Sequence, residues 1–455
     1  MTEHFSLDIS TDRTIRRQTT AWLILALSSL VIGGLFVVLI VLSRTPGIQD
    51  IIPWVDFFKT ALVVHVDMTV LVWFLAFAGV FWSLNNNGGC AKCGWPPIFL
   101  AALGMLGITL APFLGAGAPL MNNYVPVLQD PIFFVALGIF GLGFTLQILN
   151  GLIFSNPVGK FMNGSAALRF GLFTALIAAL FSMMAIGWSY SMMPADIEGQ
   201  HYYELLFWGG GHVIQFTHTQ LMLVVWLWLA AVSGISINAN PRVILLLFAI
   251  GAMPVLLTPV IYLSYPVEDP GYAITFTWLM KFGGGLAALP IGLIVIASLL
   301  KADKAADVYK AERSALIFSI LLFGSGGIIG FMITGSNVRV PAHYHGSIIG
   351  VTMAFMGITY YLLPRLGFRK PMGKWALRQP AIYGTGQLIW VFAMAYTGGH
   401  GVQRKTAGAA QGLKTLDEHI AMGLMGIGGV VAITGGIIYL VVVYKAMRPE
   451  KTATS

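Results

Sequence analysis

Two histidines separated by one residue stand at the head of a long apolar stretch, in the order Pro341-Ala342-His343-Tyr344-His345. On a helix, residues two positions apart point about 200° from each other, so the two imidazoles cannot easily bind one metal. Each can instead serve a separate group on either flank of one helix, which suits two haems. The isolated pair is also compatible with two polar residues at a membrane surface, so the rest of the chain must decide.

A third histidine, His65, precedes an aromatic pair, Trp73-Phe74. Alone, it could be an interfacial residue that hydrogen bonds to a backbone carbonyl. Opposite His345 it would be the second axial ligand of a six-coordinate, low-spin haem, a role that neutral imidazole fills well.

A fourth histidine, His212, follows three consecutive glycines. At 100° per residue, one helix face carries His212 together with His201, Trp208, Gln215 and Thr219, whereas His218 points about 120° away. We therefore expect His212 and Gln215 to face a cavity. Gly209 to Gly211 would allow a flat macrocycle to approach the backbone, or would serve ordinary helix packing.

The composition requires a membrane protein. Of 455 residues, 57% are hydrophobic and 10% are charged, too few charges for a water-exposed surface. Apolar windows long enough to cross a bilayer recur twelve times. They cover residues 19–43, 58–84, 96–116, 131–155, 165–193, 202–232, 242–265, 273–299, 314–336, 340–364, 381–399 and 417–446.

Basic residues orient these spans. Most of the 26 lysines and arginines fall in alternate connecting segments, which predicts that both termini are cytoplasmic. The net charge of +8 is then a matter of topology and does not indicate nucleic-acid binding. We expect one membrane domain, 1–455, with cytoplasmic tails 1–18 and 447–455, in the inner (cytoplasmic) membrane. The histidines of the spans then fall in the outer, periplasmic half.

The two cysteines form the sequence Cys90-Ala91-Lys92-Cys93 in the first predicted inner loop. They could be half of a zinc site or a redox pair, although a structural role is the plainer interpretation. A c-type haem attachment is excluded, since no histidine follows Cys93.

Together these features resemble subunit I of the haem-copper oxidase superfamily, which includes oxygen and nitric oxide reductases. The resemblance covers the whole chain and implies an all-α bundle of twelve transmembrane helices. Its Ala-His-Phe/Tyr-His motif implies that His343 binds a high-spin haem and His345 a low-spin, b-type haem, with His65 as the other low-spin ligand. The segment from Gly401 to Lys405 resembles a Gly-x-x-Arg-Arg segment, so Arg404 and Lys405 would pair with haem propionates.

The chain departs from this family at the second metal. In the family, the histidine of span six and a His-His pair in span seven hold copper or non-haem iron. His212 matches the first, but span seven has Thr258-Pro259 and no histidine. His212 with Gln215 or Tyr262 would make a poor copper site, so copper is doubtful and any metal at His212 would be unusual.

The chain also departs from this family in the residues that could carry protons through the membrane. The acidic or basic residues expected within the membrane are Asp67, Glu204 and Lys281, all near the midplane or in the outer half. Lys281 could pair with Asp67 or with a haem propionate, or take part in a proton relay. With no buried acid leading from the cytoplasm, we expect no proton pumping.

Two functions remain. The first is a non-pumping reductase of a small molecule such as nitric oxide at the haem on His343. His212, Gln215, Glu204 and Tyr262 would be its catalytic residues. The second is a two-haem transmembrane electron-transfer cytochrome without a reductase site. Electrons would come from an outer donor subunit, a soluble cytochrome c or cupredoxin, or quinol. A haem-binding transporter or sensor is a weaker alternative.

Overall fold

The computed structural model describes residues 5–42, 56–115, 117–335, 337–400, 413 and 415–448, and these residues are almost entirely helical. The α-helices are α1 Arg13–Leu42, α2 Phe57–Val66, α3 Trp73–Leu84, α4 Trp95–Leu110, α5 Pro131–Phe154, α6 Gly164–Met192, α7 Gly199–Val232, α8 Pro241–Ala252, α9 Thr258–Ser264, α10 Pro270–Gly283, α11 Gly285–Leu300, α12 Lys310–Phe331, α13 Arg339–Arg365, α14 Lys374–Gly399 and α15 Leu416–Met447. Two short antiparallel strands, β1 Pro119–Leu120 and β2 Val127–Leu128, lie between α4 and α5.

Among the described residues, eleven helical segments are long and apolar enough to cross a membrane. This result confirms the prediction of an all-α membrane protein, because in lipid the backbone must satisfy its own hydrogen bonds within helices. The remaining predicted span, 381–399, is helical as part of α14 but is not among the eleven. Twelve crossings, the inner position of both termini and the single domain stay predictions.

Several single spans contain breaks that hydropathy did not reveal. The span at 58–84 consists of α2, a π-helical turn Asp67–Val72 and α3, and this turn begins two residues after His65. The span at 242–265 consists of α8, a 3₁₀ turn Met253–Leu257 and α9. Pro254 and Pro259 explain that break, since proline lacks the N–H group that would continue the helical ladder.

Polar side chains fix several helix starts. Asn163 accepts a hydrogen bond from the backbone N–H of Ala166 at the start of α6. At the start of α15, Thr415 and Glu418 form a reciprocal capping box. Such caps satisfy N–H groups that have no partner within the helix.

The chain separates into two compact units. The α1 unit comprises residues 7–221 and 241–288, and the α13 unit comprises residues 1–6, 222–240 and 289–455. Within the α1 unit, α1 packs against α2 and α3, α4 against α5, and α6 against α8. Its aromatic core includes Tyr262, Tyr272 and Phe276.

Within the α13 unit, α12 packs against α13 and α14 against α15. Glycines bring these helices close together. A Cβ atom on Gly346 of α13 would lie 2.7 Å from the Cα atom of Gly326 on α12. A Cβ atom on Gly386 of α14 would lie 2.5 Å from the backbone nitrogen of Ala432 on α15. Small residues at such crossings are the usual means of close helix packing in membranes.

Candidate functional site

His65 is oriented by the neighbouring helix in the α1 unit. Its Nδ1 atom lies 2.9 Å from the carbonyl oxygen of Gly33 on α1, so Nδ1 carries the proton and donates it. The hydroxyl of Thr69 donates to the carbonyl of His65 at 2.7 Å, at the point where the π-helical turn begins. The ring is therefore fixed with Nε2 as its ligand atom.

Asp67 lies two residues further along and is 1% exposed. Neither of its carboxylate oxygens has a hydrogen-bond partner among the described residues. The predicted pairing of Lys281 with Asp67 is therefore wrong, and the Lys281 side chain is exposed.

His343 in the α13 unit has the same arrangement as His65. Its Nδ1 atom donates to the carbonyl of Gly326 at 2.7 Å. A Cβ atom on Gly330, one turn further along α12, would lie 2.6 Å from that nitrogen. Gly326 supplies the acceptor and Gly330 the space for the ring.

His345 is held from two sides. Its Nδ1 atom donates to the carbonyl of Pro341 at 3.0 Å, one turn earlier on α13. The indole of Trp390 on α14 packs on the imidazole, with ring centroids 4.0 Å apart. Sequence reasoning did not identify Trp390, because it lies 45 positions away on another helix and nothing local marks it.

These three histidines fit haem. Iron-binding histidines generally donate their second ring N–H to a carbonyl, which fixes the tautomer and makes the other nitrogen a better ligand. His65, His343 and His345 all do so. Arg404 and Lys405, the predicted partners of the propionates, lie outside the described residues.

His212 differs from the other three. It is 6% exposed, and its Nδ1 atom donates to the carbonyl of Trp208 at 2.8 Å. The hydroxyl oxygen of Tyr124 lies 2.7 Å from Nδ1 and 3.0 Å from Nε2. An oxygen this close to both ring nitrogens lies beside or over the ring and out of line with the Nε2 lone pair, so the contact does not occupy that lone pair.

The residues predicted around His212 lie near this contact in the α1 unit. Gln215 donates to the carbonyl of Gly211 at 3.2 Å. Glu204 accepts from the backbone N–H of Asn123 at 3.1 Å and from its side-chain amide. The predicted stripe on α7 thus meets the loop that carries Tyr124.

Tyr262 belongs to a separate group of hydroxyls. Its oxygen lies 2.8 Å from Ser189 Oγ and 3.2 Å from the hydroxyl of Tyr272, and it donates to the carbonyl of Ala185 at 2.8 Å. The ring stacks on Trp188, with centroids 4.9 Å apart. Ser189 was not identified from sequence, since it lies 73 positions from Tyr262.

The glycines before His212 are occupied by protein. A Cβ atom on Gly209 would overlap the hydroxyl of Tyr262, and one on Gly211 would overlap the ring of Tyr124. Gly210 is equally crowded, by Ile186 on α6. The contacts favour the packing interpretation of these glycines over approach by a macrocycle.

The residues around His212 do not fit a second metal. A protein metal site needs several N, O or S donors, and copper or iron sites of this kind use imidazoles or carboxylates. No group of three or more histidine, cysteine or acidic residues forms such a site in the part of the chain that the structure describes. The neighbours of His212 are instead the rings of Trp208, Tyr124 and Phe276, with centroids 4.8, 5.1 and 6.3 Å from the imidazole.

The remaining histidines of the spans lie apart from these groups. His218 packs on Phe74, with centroids 4.9 Å apart, in agreement with its predicted direction away from His212. His400 and His419 are exposed and hydrogen bond to backbone carbonyls of their own helix ends. The capping box at α15 uses Glu418.

One acidic side chain contradicts the expectation that no buried acid lies in the predicted cytoplasmic half of the spans. Glu312, in the first turn of α12, is 1% exposed, and Lys370 Nζ lies 3.6 Å from its carboxylate. The ammonium of Lys370 also lies 3.9 Å from the ring centroid of Tyr309. Sequence analysis began this span at residue 314, because charged residues precede the apolar run, and so left Glu312 outside it.

Cys90 and Cys93 are joined as a disulfide at the start of α4. Their loop is also held by the side chain of Gln18, which donates to the carbonyl of Ala91 at 2.9 Å.

The helices define a multi-pass membrane protein, and three of its histidines are oriented as haem ligands generally are. The sequence matches the family described as cytochrome c and quinol oxidase polypeptide I over residues 17–438. The chain therefore belongs to this family of haem-copper oxidase subunit I proteins.

Two relatives and one solved structure are similar to this chain. An uncharacterized protein of Rickettsia prowazekii (strain Madrid E) is 27% identical, over 94% of this chain and 95% of the relative. An uncharacterized protein of Aquifex aeolicus (strain VF5) is 32% identical, over 78% of this chain and 86% of the relative. A heme-copper terminal oxidase solved as a dimer shares the fold, with a TM-score of 0.70 and 17% identity, over 96% of this chain and 84% of that one.

Proposed function

We propose that this respiratory haem protein is a non-pumping reductase of a small, nitric oxide-like molecule, with a low-spin haem on His65 and His345 and a second haem on His343. The observation that carries the proposal is that histidines stand at the three positions that match the family's haem ligands, each with its Nδ1 proton given to a carbonyl, which leaves Nε2 for iron. His212, His400 and His419 make the same kind of contact, so the match to the family is what distinguishes the three.

Haem iron, when bound, supplies one-electron chemistry and, where one axial position is open, a binding site for a small diatomic molecule. The chain holds the three proposed ligands in a fixed tautomer. Arg404 and Lys405 would neutralise the propionates.

The polar residues on α7 support a reductase. The hydroxyl of Tyr124 lies within hydrogen-bond distance of the His212 ring, Gln215 is on the same helix face as His212, and Glu204 binds Asn123, next to Tyr124. Burial and, to a smaller extent, the nearby Glu204 raise the pKa of the Tyr124 phenol well above its usual range, so the hydroxyl keeps its proton. Such a group can donate hydrogen bonds or pass a proton to a reacting molecule.

The proposal of no pumping has to account for the buried acid Glu312. Its charge is compensated by Lys370, so this acid has a structural explanation. Electrons would enter from an outer donor subunit, a soluble cytochrome c or cupredoxin, or quinol, with the haems toward the periplasmic side of the inner membrane.

A two-haem electron-transfer cytochrome is the second candidate. A second metal would need further imidazoles or carboxylates beside His212. The described residues provide no such group, and this favours the electron-transfer cytochrome.

The test is a reduced-minus-oxidised optical spectrum of the purified full-length protein, with and without carbon monoxide. A reductase requires that about half of the haem binds carbon monoxide, since one of two irons has an open position. His343→Ala should remove the responding half, whereas His201→Gln, on the exposed part of α7, should change nothing. Two low-spin haems that ignore carbon monoxide would favour the electron-transfer cytochrome, and a preparation without haem would refute both.

A further inference from the structure

Cys90 and Cys93 close a covalent ring of four residues in the loop between α3 and α4. A cross-link stabilises a protein mainly by restricting its unfolded chain, and this effect becomes smaller as the closed loop becomes shorter. A ring of four residues restricts the unfolded chain very little. Stabilisation of the fold is therefore a weak reason for this disulfide.

The loop is also held by contacts that do not involve the two sulfurs. Nε2 of Gln18, on α1 and 3% exposed, donates to the carbonyl of Ala91 at 2.9 Å. A Cβ atom on Gly94 would lie 2.5 Å from Oε1 of the same Gln18, so the loop packs directly on α1. The backbone N–H of Trp95 donates to the carbonyl of Lys92 at 3.2 Å. These contacts remain when the S–S bond is reduced, so the loop keeps its place in both redox states.

The two cysteines differ in exposure. Cys93 is exposed, whereas Cys90 is half-buried. Thiol–disulfide exchange begins when an external thiolate attacks one of the two sulfurs, and access helps to decide which one. Ala91 and Lys92, between the cysteines, are exposed as well. A partner from solution therefore reaches the sulfur of Cys93 more readily than that of Cys90.

The surroundings of the disulfide favour a thiolate. The helix α4 begins at Trp95, two residues after Cys93, and the N-terminus of a helix is electropositive. Lys92 adds a positive charge, and the sequence contains no acidic residue between Asp67 and Asp130. Because the two sulfurs are bonded to each other, both share this position. Stabilising the thiolate that leaves makes the disulfide easier to open.

We propose that Cys90 and Cys93 form a redox-active pair that exchanges electrons with a soluble protein dithiol. A thiolate of the partner attacks Cys93, the S–S bond breaks, and Cys90 leaves as a thiolate that takes up a proton. The second thiol of the partner then displaces Cys93 from the mixed disulfide. Two electrons and two protons have passed to the pair, and the partner has become a disulfide.

The predicted cytoplasmic position of the loop supports this proposal. Disulfides are rare in the reducing cytosol, and those that occur there are usually transient and catalytic or redox-sensing. The inference goes beyond the proposed function and does not depend on it, since neither haem takes part in the exchange.

The first measurement is the reduced fraction of the pair in the purified, full-length protein, at equilibrium with equal amounts of reduced and oxidised thioredoxin. The chain has no other cysteines, so the mass added by alkylation of free thiols reports the pair alone. A structural disulfide resists reduction at least about tenfold more than that of thioredoxin. The proposal requires that more than about a tenth of the chains are reduced. A smaller fraction, reached from both the oxidised and the reduced protein, would overturn it.

The second measurement identifies the sulfur that the partner attacks. The oxidised protein is mixed with a thioredoxin whose resolving cysteine is serine, and the freed cysteine is then capped with N-ethylmaleimide. Trypsin cleaves after Lys92 and so separates Cys90 from Cys93. We expect thioredoxin on the Cys93 peptide and the maleimide on the Cys90 peptide. Thioredoxin mainly on Cys90 would refute the proposed order of steps, and no mixed disulfide at all would refute the exchange.

A variant with both cysteines replaced by serine tests the structural alternative. It should fold with the helical content of the parent protein, because Gln18 still holds the loop. Failure of this variant to fold would show that the disulfide is a structural cross-link. None of these readouts involves haem, so their outcome is separate from that of the carbon monoxide experiment, which tests the proposed function.

Discussion

At the scale of single residues, the histidines that match the family's haem ligands are positioned by backbone carbonyls, while His345 also has an aromatic neighbour. Trp390 packs on the His345 ring at a centroid distance of 4.0 Å. Aromatic pairs of this kind contribute roughly 0.5–1.5 kcal/mol beyond the burial of their area. Trp390 therefore restricts the rotation of the His345 ring.

If His345 binds haem as proposed, replacing Trp390 should loosen that haem. Trp390→Leu is expected to weaken haem retention by about 1 kcal/mol, because the His345 ring loses its packing partner. The measurement is the temperature at which the low-spin absorption bands are lost. Trp375→Leu, at the start of the same helix and 50% exposed, is the matched control. Equal behaviour of the two variants would contradict a role for Trp390.

Sequence analysis identified the histidines at this scale but not their partners. The types and spacing of His343 and His345 are local, and so is the glycine run before His212. Tyr124 lies 88 positions from His212 and sits in a loop without periodicity. The one available signal was Gly209 to Gly211, which indicated that something large packs there without saying which side chain it is.

At the scale of helices, α12 and α13 form the crossing that positions His343. Gly326 contributes both the carbonyl that His343 binds and the absence of a side chain that lets α13 approach. Its neighbour Gly327 has nothing within 4 Å of an added methyl. Adjacent glycines on one helix thus have different roles.

Methyl groups at these two glycines should have opposite effects. Gly326→Ala would force Ser347 and Gly346 away and is expected to cost about 1–3 kcal/mol, as overpacking usually does. Gly327→Ala should be neutral or stabilise by up to about 1 kcal/mol, since alanine favours helix. Thermal unfolding followed by circular dichroism, together with haem content, distinguishes them. A stable, fully haem-loaded Gly326→Ala protein would show that the crossing tolerates separation.

Helical spans were predictable from sequence because hydropathy is a local property that lipid enforces over about 20 residues. The π-helical turn after His65 was not predictable from sequence, since no residue in Asp67–Val72 is a helix breaker. The divided span with Pro254 and Pro259 could have been anticipated from its prolines. Glu312 was excluded because a hydropathy window ends where charges begin, whereas tertiary packing buries the first turn of α12.

At the scale of the whole molecule, the predicted orientation of the helices in the membrane rests on the distribution of basic residues alone. The chain has two cysteines, Cys90 and Cys93, both in the first predicted inner loop, and Cys93 is exposed. They provide a natural reporter of topology that needs no engineered label.

A thiol reagent that cannot cross membranes should reach these cysteines only from the cytoplasmic side. After reduction of the disulfide, inverted membrane vesicles should be labelled and intact spheroplasts should not. A protein with both cysteines replaced by serine is the blank. Labelling of intact spheroplasts would reverse the predicted topology and place the termini outside.

The carbonyl acceptors of the four histidines have a consequence for how this protein can change by mutation. A backbone carbonyl is present whatever amino acid the codon specifies, so no single substitution can delete the acceptors at Gly33, Gly326, Pro341 or Trp208. Substitutions that change only the chemistry of a side chain therefore leave these carbonyl acceptors in place. What remains vulnerable is side-chain size where neighbouring chain segments meet, so harmful variants in this protein should be concentrated at its crowded glycines.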